Sequence, residues 1–210
     1  KTTTKDLLAA VLDPRFNTLK TSGNYNNELG VPLTLLQLTD KHQAAVVEMG
    51  MRGLGEIAAL SQMAAPTLGV ITNIGHTHQE LLGTQDNIAL AKGELLESLP
   101  ANGWAVLNAD DPWQVFLGQR LGARAFYYGL QPTAGIYATD LRQEGNGSRF
   151  KVHLPQTAGE VWLPVPGQHN VANALAALGA GWLLGMQLEE MTEGLAKAQL
   201  SAMRLAINPG

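Results

Sequence analysis

The stretch that decides the fold covers residues 68–108 and reads LGVITNIGHTHQELLGTQDNIALAKGELLESLPANGWAVLN. Apolar, β-rich runs open and close it, at residues 68–73 and 104–108. Residues 86–99, which lie between them, have the apolar spacing of a helix. A strand, a helix and a second strand in this order predict a βαβ unit, because two parallel strands need a long crossover connection.

The same alternation continues on both sides of this unit. Two more strand-like runs lie at residues 44–48 and 125–128. Helical patterns occupy residues 4–12, 31–38, 55–63, 112–121, 170–184 and 188–200. The order of these segments predicts an α/β fold, with a mostly parallel sheet flanked by helices on both faces.

The rhythm changes after Gly129. The strand-like segments become shorter, at residues 136–141, 150–154 and 160–163, and turn residues such as those at 144–147 separate them. Short strands joined by tight turns are typical of antiparallel pairing. We therefore expect a small antiparallel sheet at about residues 135–165.

Composition narrows the possible functions. The chain has 210 residues, of which 45% are hydrophobic and 15% charged, and it contains no run of eighteen apolar residues and no signal-like amino terminus, so we expect a cytoplasmic protein without membrane insertion. Cysteine is absent, so a metal must be held by oxygen or imidazole, which favours magnesium. A net charge of -4 without a basic stripe argues against nucleic-acid binding.

Polar residues recur where predicted strands end. Glu48, Asn73 and Asn108 each close an apolar run. Ligands of open parallel sheets bind outside the carboxyl ends of the strands, so these side chains are well placed for chemistry. The alternative is that each one caps the helix that follows it.

The first residues, Lys1-Thr2-Thr3-Thr4, run directly into a helical pattern, as the end of a phosphate-binding loop does. In such a loop a lysine reaches the β- and γ-phosphates and the next hydroxyl binds magnesium. Lys1 and Thr2 would take these roles, and Thr3 would join them in binding nucleotide. The glycines of the loop are not in the sequence. The alternative is a frayed terminus followed by a threonine N-cap.

The segment GNYNNELGVP at residues 23–32 makes a family resemblance specific. It resembles the Gly-Asn-x-Asn-Asn-x-x-Gly-x-Pro motif of UDP-N-acetylmuramoyl-tripeptide:D-alanyl-D-alanine ligases, the MurF branch of the Mur ligase family. The resemblance implies that Asn26 and Asn27 line the site for the UDP-sugar peptide or the reacting phosphate. The alternative is an ordinary loop rich in Asx turns.

The resemblance also implies a magnesium site. The segment TNIGHTH at residues 72–78 is similar to a Mur ligase motif in which a histidine, here His78, binds metal, although Thr77 stands where the family often has Asp. Glu48 matches the magnesium-binding glutamate of the family. Without the family, His76 and His78 suggest two ligands of a zinc hydrolase, but no close third ligand is evident.

Lys92 occupies the position of the lysine that is carbamylated by CO₂ in Mur ligases. Ile88, Leu95 and Leu96 lie at helical spacing from it, so the lysine falls on an apolar stripe. Burial lowers a lysine pKa and favours the neutral amine that reacts with CO₂, and the resulting carbamate can bind a second magnesium ion. The alternative is a lysine whose ammonium group reaches past the apolar stripe to water.

Three further motifs point to nucleotide. Asn108 opens the segment NADD, which matches a family element near the nucleotide, and GQHNVANA at residues 167–174 resembles the Gly-x-His-Asn-x-x-Asn-Ala signature on the adenine side of ATP. Asn170 and Asn173 would contact adenine, with a helix N-cap at Asn170 as the alternative. Arg204 falls where the family has an arginine that approaches ATP.

Taken together, the resemblance implies a P-loop NTPase-like central domain at residues 1–205, and residues 206–210 would begin a linker to a C-terminal domain outside the sequence. The implied enzyme is a monomer that uses ATP and two Mg²⁺ ions to join D-Ala-D-Ala to UDP-MurNAc-tripeptide through an acylphosphate. Lys1, Lys92 and His78 would be catalytic, and this chain alone would be inactive. The alternatives are a sister amide ligase, such as a folylpolyglutamate synthase, or a catalytically silent nucleotide-binding module.

Overall fold

A computed structural model of the chain describes residues 1–75 and 83–201. The helices in this part are α1 (Thr2–Leu12), α2 (Gly30–Leu35), α3 (Glu56–Ala64), α4 (Gln85–Glu97), α5 (Pro112–Gly118), α6 (Gln168–Leu183) and α7 (Leu188–Ala196). The strands are β1 (Thr18–Lys20), β2 (Ala44–Val46), β3 (Leu68–Val70), β4 (Trp104–Asn108), β5 (Ala125–Gly129), β6 (Ile136–Glu144), β7 (Gly147–Leu154) and β8 (Thr157–Leu163). A short 3₁₀ helix (Gln119–Arg124) leads into β5. None of the described helices is long and apolar enough to cross a bilayer.

The strands form two sheets. A two-stranded parallel sheet pairs β1 with β2, and a six-stranded sheet has the order β3-β4-β5-β6-β7-β8. Strands β3 to β6 are parallel, and β6, β7 and β8 pair antiparallel. The predicted α/β class with a mostly parallel sheet and a small antiparallel part is confirmed.

The antiparallel strands continue the parallel sheet, because β5 and β6 pair at Tyr128↔Ile136 and Gly129↔Tyr137. The predicted ends of two other strands are wrong. Strands β2 and β3 end at Val46 and Val70. Glu48 and Asn73 therefore lie in the loops that follow these strands and do not close them.

The antiparallel part is a meander of adjacent strands. Along β7 the side chains of Phe150, Val152 and Leu154 face the core, and the alternating residues between them are half-buried, as expected for a strand with one covered face. The turn between β6 and β7 is made by Gly145 and Asn146, and Gly145 has a φ of +55°, a conformation that glycine adopts without strain. Local sequence therefore accounts for this region.

Helix α6 is the centre of the core. It packs against α1, α7 and strands β3 to β6. Small residues allow close approach, since a side chain at Gly181 would meet Val11 and Met191, and one at Gly194 would overlap the main chain of Ala10. This packing holds the amino-terminal helix α1 between α6 and α7.

A cavity of about 680 Å³ lies between the two sheets. Residues of β2 and β3 line it, together with apolar side chains of α1 such as Leu8 and Leu12. Lys1, Glu48, Asn73 and Lys92 are among the polar residues that face it. Four residues singled out from the sequence therefore share one cavity.

Candidate functional site

The amino terminus of α1 forms one wall of the site. Lys1 is the N-cap of the helix, and its Nζ donates a hydrogen bond to the main-chain oxygen of Met49 at 3.4 Å. The Thr2 hydroxyl donates to Oε1 of Glu48 at 3.3 Å. Unpaired N–H groups and the helix dipole make a helix amino terminus a binding site for anions, and here a lysine and a hydroxyl accompany it. This arrangement suits the phosphates of a nucleotide.

Glu48 is the carboxylate of the site. It is 6% exposed, and its main-chain N–H donates to the hydroxyl of the fully buried Thr21 at 3.0 Å. Oε1 accepts from Thr2 and from Nδ2 of Asn26, the latter at 2.9 Å, whereas Oε2 is buried without a hydrogen-bond partner among the described residues. A buried acceptor without a partner is costly unless a ligand satisfies it. The Glu48 carboxylate and the Thr2 hydroxyl fit a hard cation such as Mg²⁺.

Asn26 and Asn27 are adjacent but have different roles in the structure. Asn26 donates to Glu48 and accepts a 2.6 Å hydrogen bond from the N–H of Gly50 on its main-chain oxygen. A Cβ at Gly50 would lie 2.8 Å from Oδ1 of Asn26, so the glycine makes room for the asparagine. Oδ1 of Asn27 instead accepts from the N–H groups of Leu29 and Gly30 at the start of α2. Their predicted contact with substrate stays a prediction.

Lys92 is half-buried on α4 and faces the cavity that Lys1 also lines. Burial lowers its pKa, the nearby charge of Lys1 lowers it further, and Asp111 partly opposes this. Its Nζ donates to the main-chain oxygen of Asn73 at 2.6 Å. The predicted apolar stripe is present, with Ile88 and Leu96 buried in the core on the same helix. A lysine with a lowered pKa has the chemistry that carbamylation needs, and the carbamate itself stays a prediction.

The loop after β3 is held by several groups at once. Asp111 accepts from the N–H of Ile74 at 2.9 Å, and Gln85 donates to the Ile74 carbonyl at 2.9 Å. The Tyr128 hydroxyl donates to the carbonyl of Thr72 at 3.0 Å, and burial raises the pKa of this tyrosine. Sequence reasoning missed Asp111, although an aspartate directly before Pro112 is a recognisable helix start.

This loop leads into residues 76–82. The predicted metal ligand His78, and His76 of the zinc alternative, lie outside the described residues. Within residues 1–75 and 83–201, no three His, Cys, Asp or Glu side chains are grouped so that they could hold a metal ion together. Among these residues, Glu48 and Thr2 offer two neighbouring oxygen ligands, and phosphate oxygens and water would complete the shell of a magnesium ion.

The residues predicted to contact the nucleotide lie in two parts of the structure, the loop after β4 and helix α6. Oδ1 of Asn108 accepts from the N–H of Asp110 at 2.9 Å and shapes its own loop. On α6, Nδ2 of Asn170 donates to the Pro166 carbonyl at 2.7 Å, and Oδ1 of Asn173 accepts from the Thr4 hydroxyl on α1 at 2.9 Å. The structure thus brings Asn173, but not Asn108, into contact with the helix that begins at Thr2.

Asn170 is not the N-cap of α6. That position belongs to Gly167, whose φ of +102° favours glycine, and the helix begins at Gln168. The alternative of a cap at Asn170 is therefore wrong, and its adenine contact stays a prediction. Arg204 lies outside the described residues.

Comparisons with known proteins agree with one another. The family model described as the Mur ligase middle domain matches residues 1–181. The UDP-N-acetylmuramoyl-tripeptide--D-alanyl-D-alanine ligase of Escherichia coli (strain K12) is 38% identical over 212 residues, which cover 98% of this chain and 46% of that protein. The chain therefore spans about half the length of this curated relative.

Solved structures are similar to nearly the whole chain. A crystal structure of MurF from Acinetobacter baumannii matches with a TM-score of 0.92 and 35% identity, covering 97% of this chain and 45% of that one. The structure of MurF ligase from Thermotoga maritima in complex with ADP matches with a TM-score of 0.84 and 26% identity, covering 95% of this chain and 46% of that one.

Proposed function

This chain belongs to the Mur ligase family through its middle domain, and from that premise we propose that it binds ATP and Mg²⁺ for amide bond formation. The proposed reaction joins D-Ala-D-Ala to UDP-MurNAc-tripeptide through an acylphosphate, in peptidoglycan precursor synthesis. Because the chain spans 46% of the E. coli relative, the reaction is proposed for the long form, meaning a polypeptide of the relatives' length that contains this chain.

One observation carries the proposal. Glu48 is buried with Oε2 unpaired, and its other oxygen receives the hydroxyl of Thr2 at the start of α1. A carboxylate that is poised beside a helix amino terminus can hold a cation where that terminus holds phosphate. Together they would form a magnesium–nucleotide site, and residues of this chain would supply both the cation ligand and the phosphate-binding terminus.

The proposed chemistry depends on charge and position. When bound, magnesium ions would neutralise the charge of the phosphoryl group as it passes from ATP to the peptide carboxylate. Lys1 would approach the same phosphates, and Asn26 would orient Glu48. No described side chain needs to act as a nucleophile, because the amine of D-Ala-D-Ala attacks the acylphosphate directly. Catalysis then rests on orientation and electrostatic stabilisation.

We further propose a carbamate on Lys92 as ligand of a second magnesium ion, and His78 as a metal ligand. The lowered pKa of Lys92 supports the first of these roles. Asn170 and Asn173 would contact adenine, Asn108 would lie near the nucleotide, and the link from Thr4 to Asn173 connects the proposed adenine and phosphate sides. Arg204 would approach ATP. We propose that the ligase acts as a monomer in the cytoplasm.

The decisive experiment measures phosphate release by the long form. Release that requires ATP, Mg²⁺, UDP-MurNAc-tripeptide and D-Ala-D-Ala together is the expected result. Release that proceeds without the dipeptide would overturn the proposed acceptor. Titration of ATP with Mg²⁺ into the same protein separates a silent nucleotide-binding module, which would bind without turnover, from a ligase.

The carbamate has its own measurement. Carbon-13 NMR in labelled bicarbonate is expected to show a protein-bound carbamate signal that is lost in Lys92→Arg. Lys197→Arg is the matched control, because Lys197 forms an exposed pair with Glu193 on α7. A signal that persists in Lys92→Arg, or that is absent from the unsubstituted protein, would overturn this assignment.

A further inference from the structure

Lys5 is a buried lysine on the first turns of α1. Its side chain is 3% exposed, and Nζ donates to the main-chain oxygen of Gly23 at 3.3 Å and lies 3.5 Å from Oδ1 of Asp6. The Asp6 side chain is 1% exposed and also contacts Lys20 and Ser201. We call Lys5, Asp6, Lys20 and Ser201 the Asp6 network. Through Lys5, this network reaches the loop between β1 and α2.

The loop between β1 and α2 holds Glu48. The N–H of Glu48 donates to the hydroxyl of Thr21 at 3.0 Å, and Nδ2 of Asn26 donates to Oε1 of Glu48 at 2.9 Å. The N–H of Gly50, on the other side of Glu48, donates to the main-chain oxygen of Asn26 at 2.6 Å. The loop that accepts the hydrogen bond from Lys5 therefore fixes both the main chain and the carboxylate of Glu48.

These contacts form a closed ring that begins and ends on α1. Thr2 and Lys5 lie three residues apart, which places them on the same side of the helix. Thr2 contacts the Glu48 carboxylate directly. Lys5 reaches it indirectly, through Gly23 and the loop that carries Asn26. The position of the carboxylate relative to the helix therefore depends on both contacts.

We propose that Lys5 is a positioning residue, which ties the β1–α2 loop to α1 and so holds the Glu48 carboxylate where it can bind a cation. The proposal rests on the proposed function, in which Glu48 binds Mg²⁺ beside the phosphates. Moving an ammonium group out of water is costly, and a buried ion pair often stabilises a fold no better than apolar side chains of similar volume. Fold stability alone therefore gives little reason for a buried lysine, whereas its hydrogen bond to the loop gives a specific one.

Asp6 has enough other partners to stay charged without Lys5. Nζ of Lys20 lies 3.1 Å from Oδ1 of Asp6, and the N–H and hydroxyl of Ser201 donate to Oδ2 at 2.9 and 2.8 Å. Burial would raise the pKa of Asp6, but the hydrogen bonds from Ser201 and Lys20 and the charge of Lys20 hold it below its ordinary value. The contact that distinguishes Lys5 from Lys20 is therefore the hydrogen bond to Gly23.

The first test measures hydrogen exchange of the Gly50 amide by NMR in the 210-residue chain, because this amide donates to the loop at Asn26. Lys5→Met removes the donor and is expected to speed this exchange at least about tenfold, while the amide of Leu175 in the core helix α6 stays protected. Lys20→Met is the matched control, because it removes an ammonium group from the same Asp6 network, and it should leave Gly50 exchange unchanged. Equal exchange at Gly50 in the unsubstituted chain and in Lys5→Met would overturn the proposal.

The second test titrates ATP into the long form with and without Mg²⁺. In Lys5→Met the affinity for ATP with Mg²⁺ is expected to fall about tenfold, as for loss of a group that orients a metal ligand. The affinity for ATP without Mg²⁺ should change less than about twofold, because the start of α1 is unaltered. An equal fall with and without Mg²⁺ would reduce Lys5 to a structural role.

Two further variants complete the second test. Lys5→Arg keeps the charge and the donors, and the cavity that Lys5 lines leaves room for a guanidinium group, so Mg²⁺-dependent affinity should be restored. Lys5→Gln is too short to reach Gly23 and should repeat the loss, which keeps the test available if Lys5→Met does not fold. If Mg²⁺ does not change the ATP affinity of the unsubstituted protein, the proposed function and the positioning role are both overturned, whereas the exchange measurement still shows whether Lys5 holds the loop.

Discussion

Glu48 and Asp6 are two buried carboxylates beside the first turns of α1, and their surroundings differ. Asp6 has an ammonium or hydrogen-bond donor at each oxygen, from Lys5, Lys20 and Ser201. Glu48 has donors at Oε1 alone, from Thr2 and Asn26. Both groups are buried, so burial does not distinguish them. What distinguishes them is the buried acceptor that remains at Glu48, which is available to a ligand from outside the chain.

The largest expected effect comes from Glu48→Gln in the long form. It removes the charge that would hold a cation, so phosphate release should fall by about a thousandfold, the upper range for loss of a group that stabilises a transition state. The hydrogen bonds to Oε1 remain possible, so the free energy of unfolding should change by less than about 1 kcal/mol.

The control for Glu48→Gln is Glu28→Gln, which alters an exposed glutamate near the same loop. Phosphate release should be unaffected in this variant. Equal rates of phosphate release in both variants would show that Glu48 does not bind the metal. The proposed functional difference between Glu48 and Asp6 would then be wrong as well.

The next effect is on stability. Asp6→Asn leaves two ammonium groups without their counter-charge, one of them in the almost fully buried side chain of Lys5, and should lower the free energy of unfolding by about 3 kcal/mol. Glu193→Gln breaks an exposed i,i+4 pair with Lys197 and should leave the free energy of unfolding nearly unchanged. Urea unfolding of the 210-residue chain measures both, and similar small values would mean that the Asp6 network does not hold the fold.

A smaller effect tests the link between Asn26 and Glu48. The Cβ in Gly50→Ala would displace the Asn26 side chain without touching the carboxylate, and loss of such an orienting contact should weaken Mg²⁺-dependent ATP binding about tenfold. Gly53→Ala is the matched control, since its Cβ would meet Glu56 at an ordinary contact distance of 3.7 Å. Isothermal titration of ATP with Mg²⁺ into the long form compares them, and equal affinities would show that Asn26 does not orient Glu48.

The smallest effect concerns pH. Because the pKa of Asp6 is lowered below 3.8 in the folded state, the charged form contributes stability above that value, and this contribution disappears as the pH falls through the folded pKa. The difference in unfolding free energy between the unsubstituted chain and Asp6→Asn should therefore shrink between pH 7 and about pH 3. A difference that stays constant over this range would show that the charge of Asp6 does not contribute.

The sequence predicted those parts of the fold that depend on local signals. Strand β4 has the predicted bounds, and α4 begins one residue before its predicted start, because the hydroxyl of Thr84 accepts from the N–H of Asn87 and caps it. Some predicted strands were longer than the observed ones, because a tertiary contact ends the observed strand. The N–H of Glu48 bonds to the Thr21 hydroxyl instead of a neighbouring strand, so the strand prediction overran β2.

The site was predictable to a similar degree. Glu48, Thr2 and Lys92 were singled out from short motifs, and the structure places Thr2 against Glu48 and gives Glu48 and Lys92 a shared cavity, while their roles stay predictions. Asp6 was missed, since a charged pair at the start of an amphipathic helix is typical of a solvated face. Its burial depends on Lys20 and on Ser201, which is 195 residues away in the sequence, and no local pattern records such a contact.

The pairing between β5 and β6 is short, and this has a consequence for the order in which the strands fold. Only two residue pairs join the parallel strands to the meander, whereas β6, β7 and β8 are neighbours in sequence connected by two-residue turns. Closing such short loops costs little entropy, and hairpins form within about 10 µs. Parallel strands can pair only after the longer connection between them, which contains a helix, has been closed, and this is slower. We expect the meander to fold first and the parallel strands to assemble on it with α6. Pulsed hydrogen-exchange labelling during refolding should then protect β7 amides before those of β4, and the reverse order would contradict this expectation.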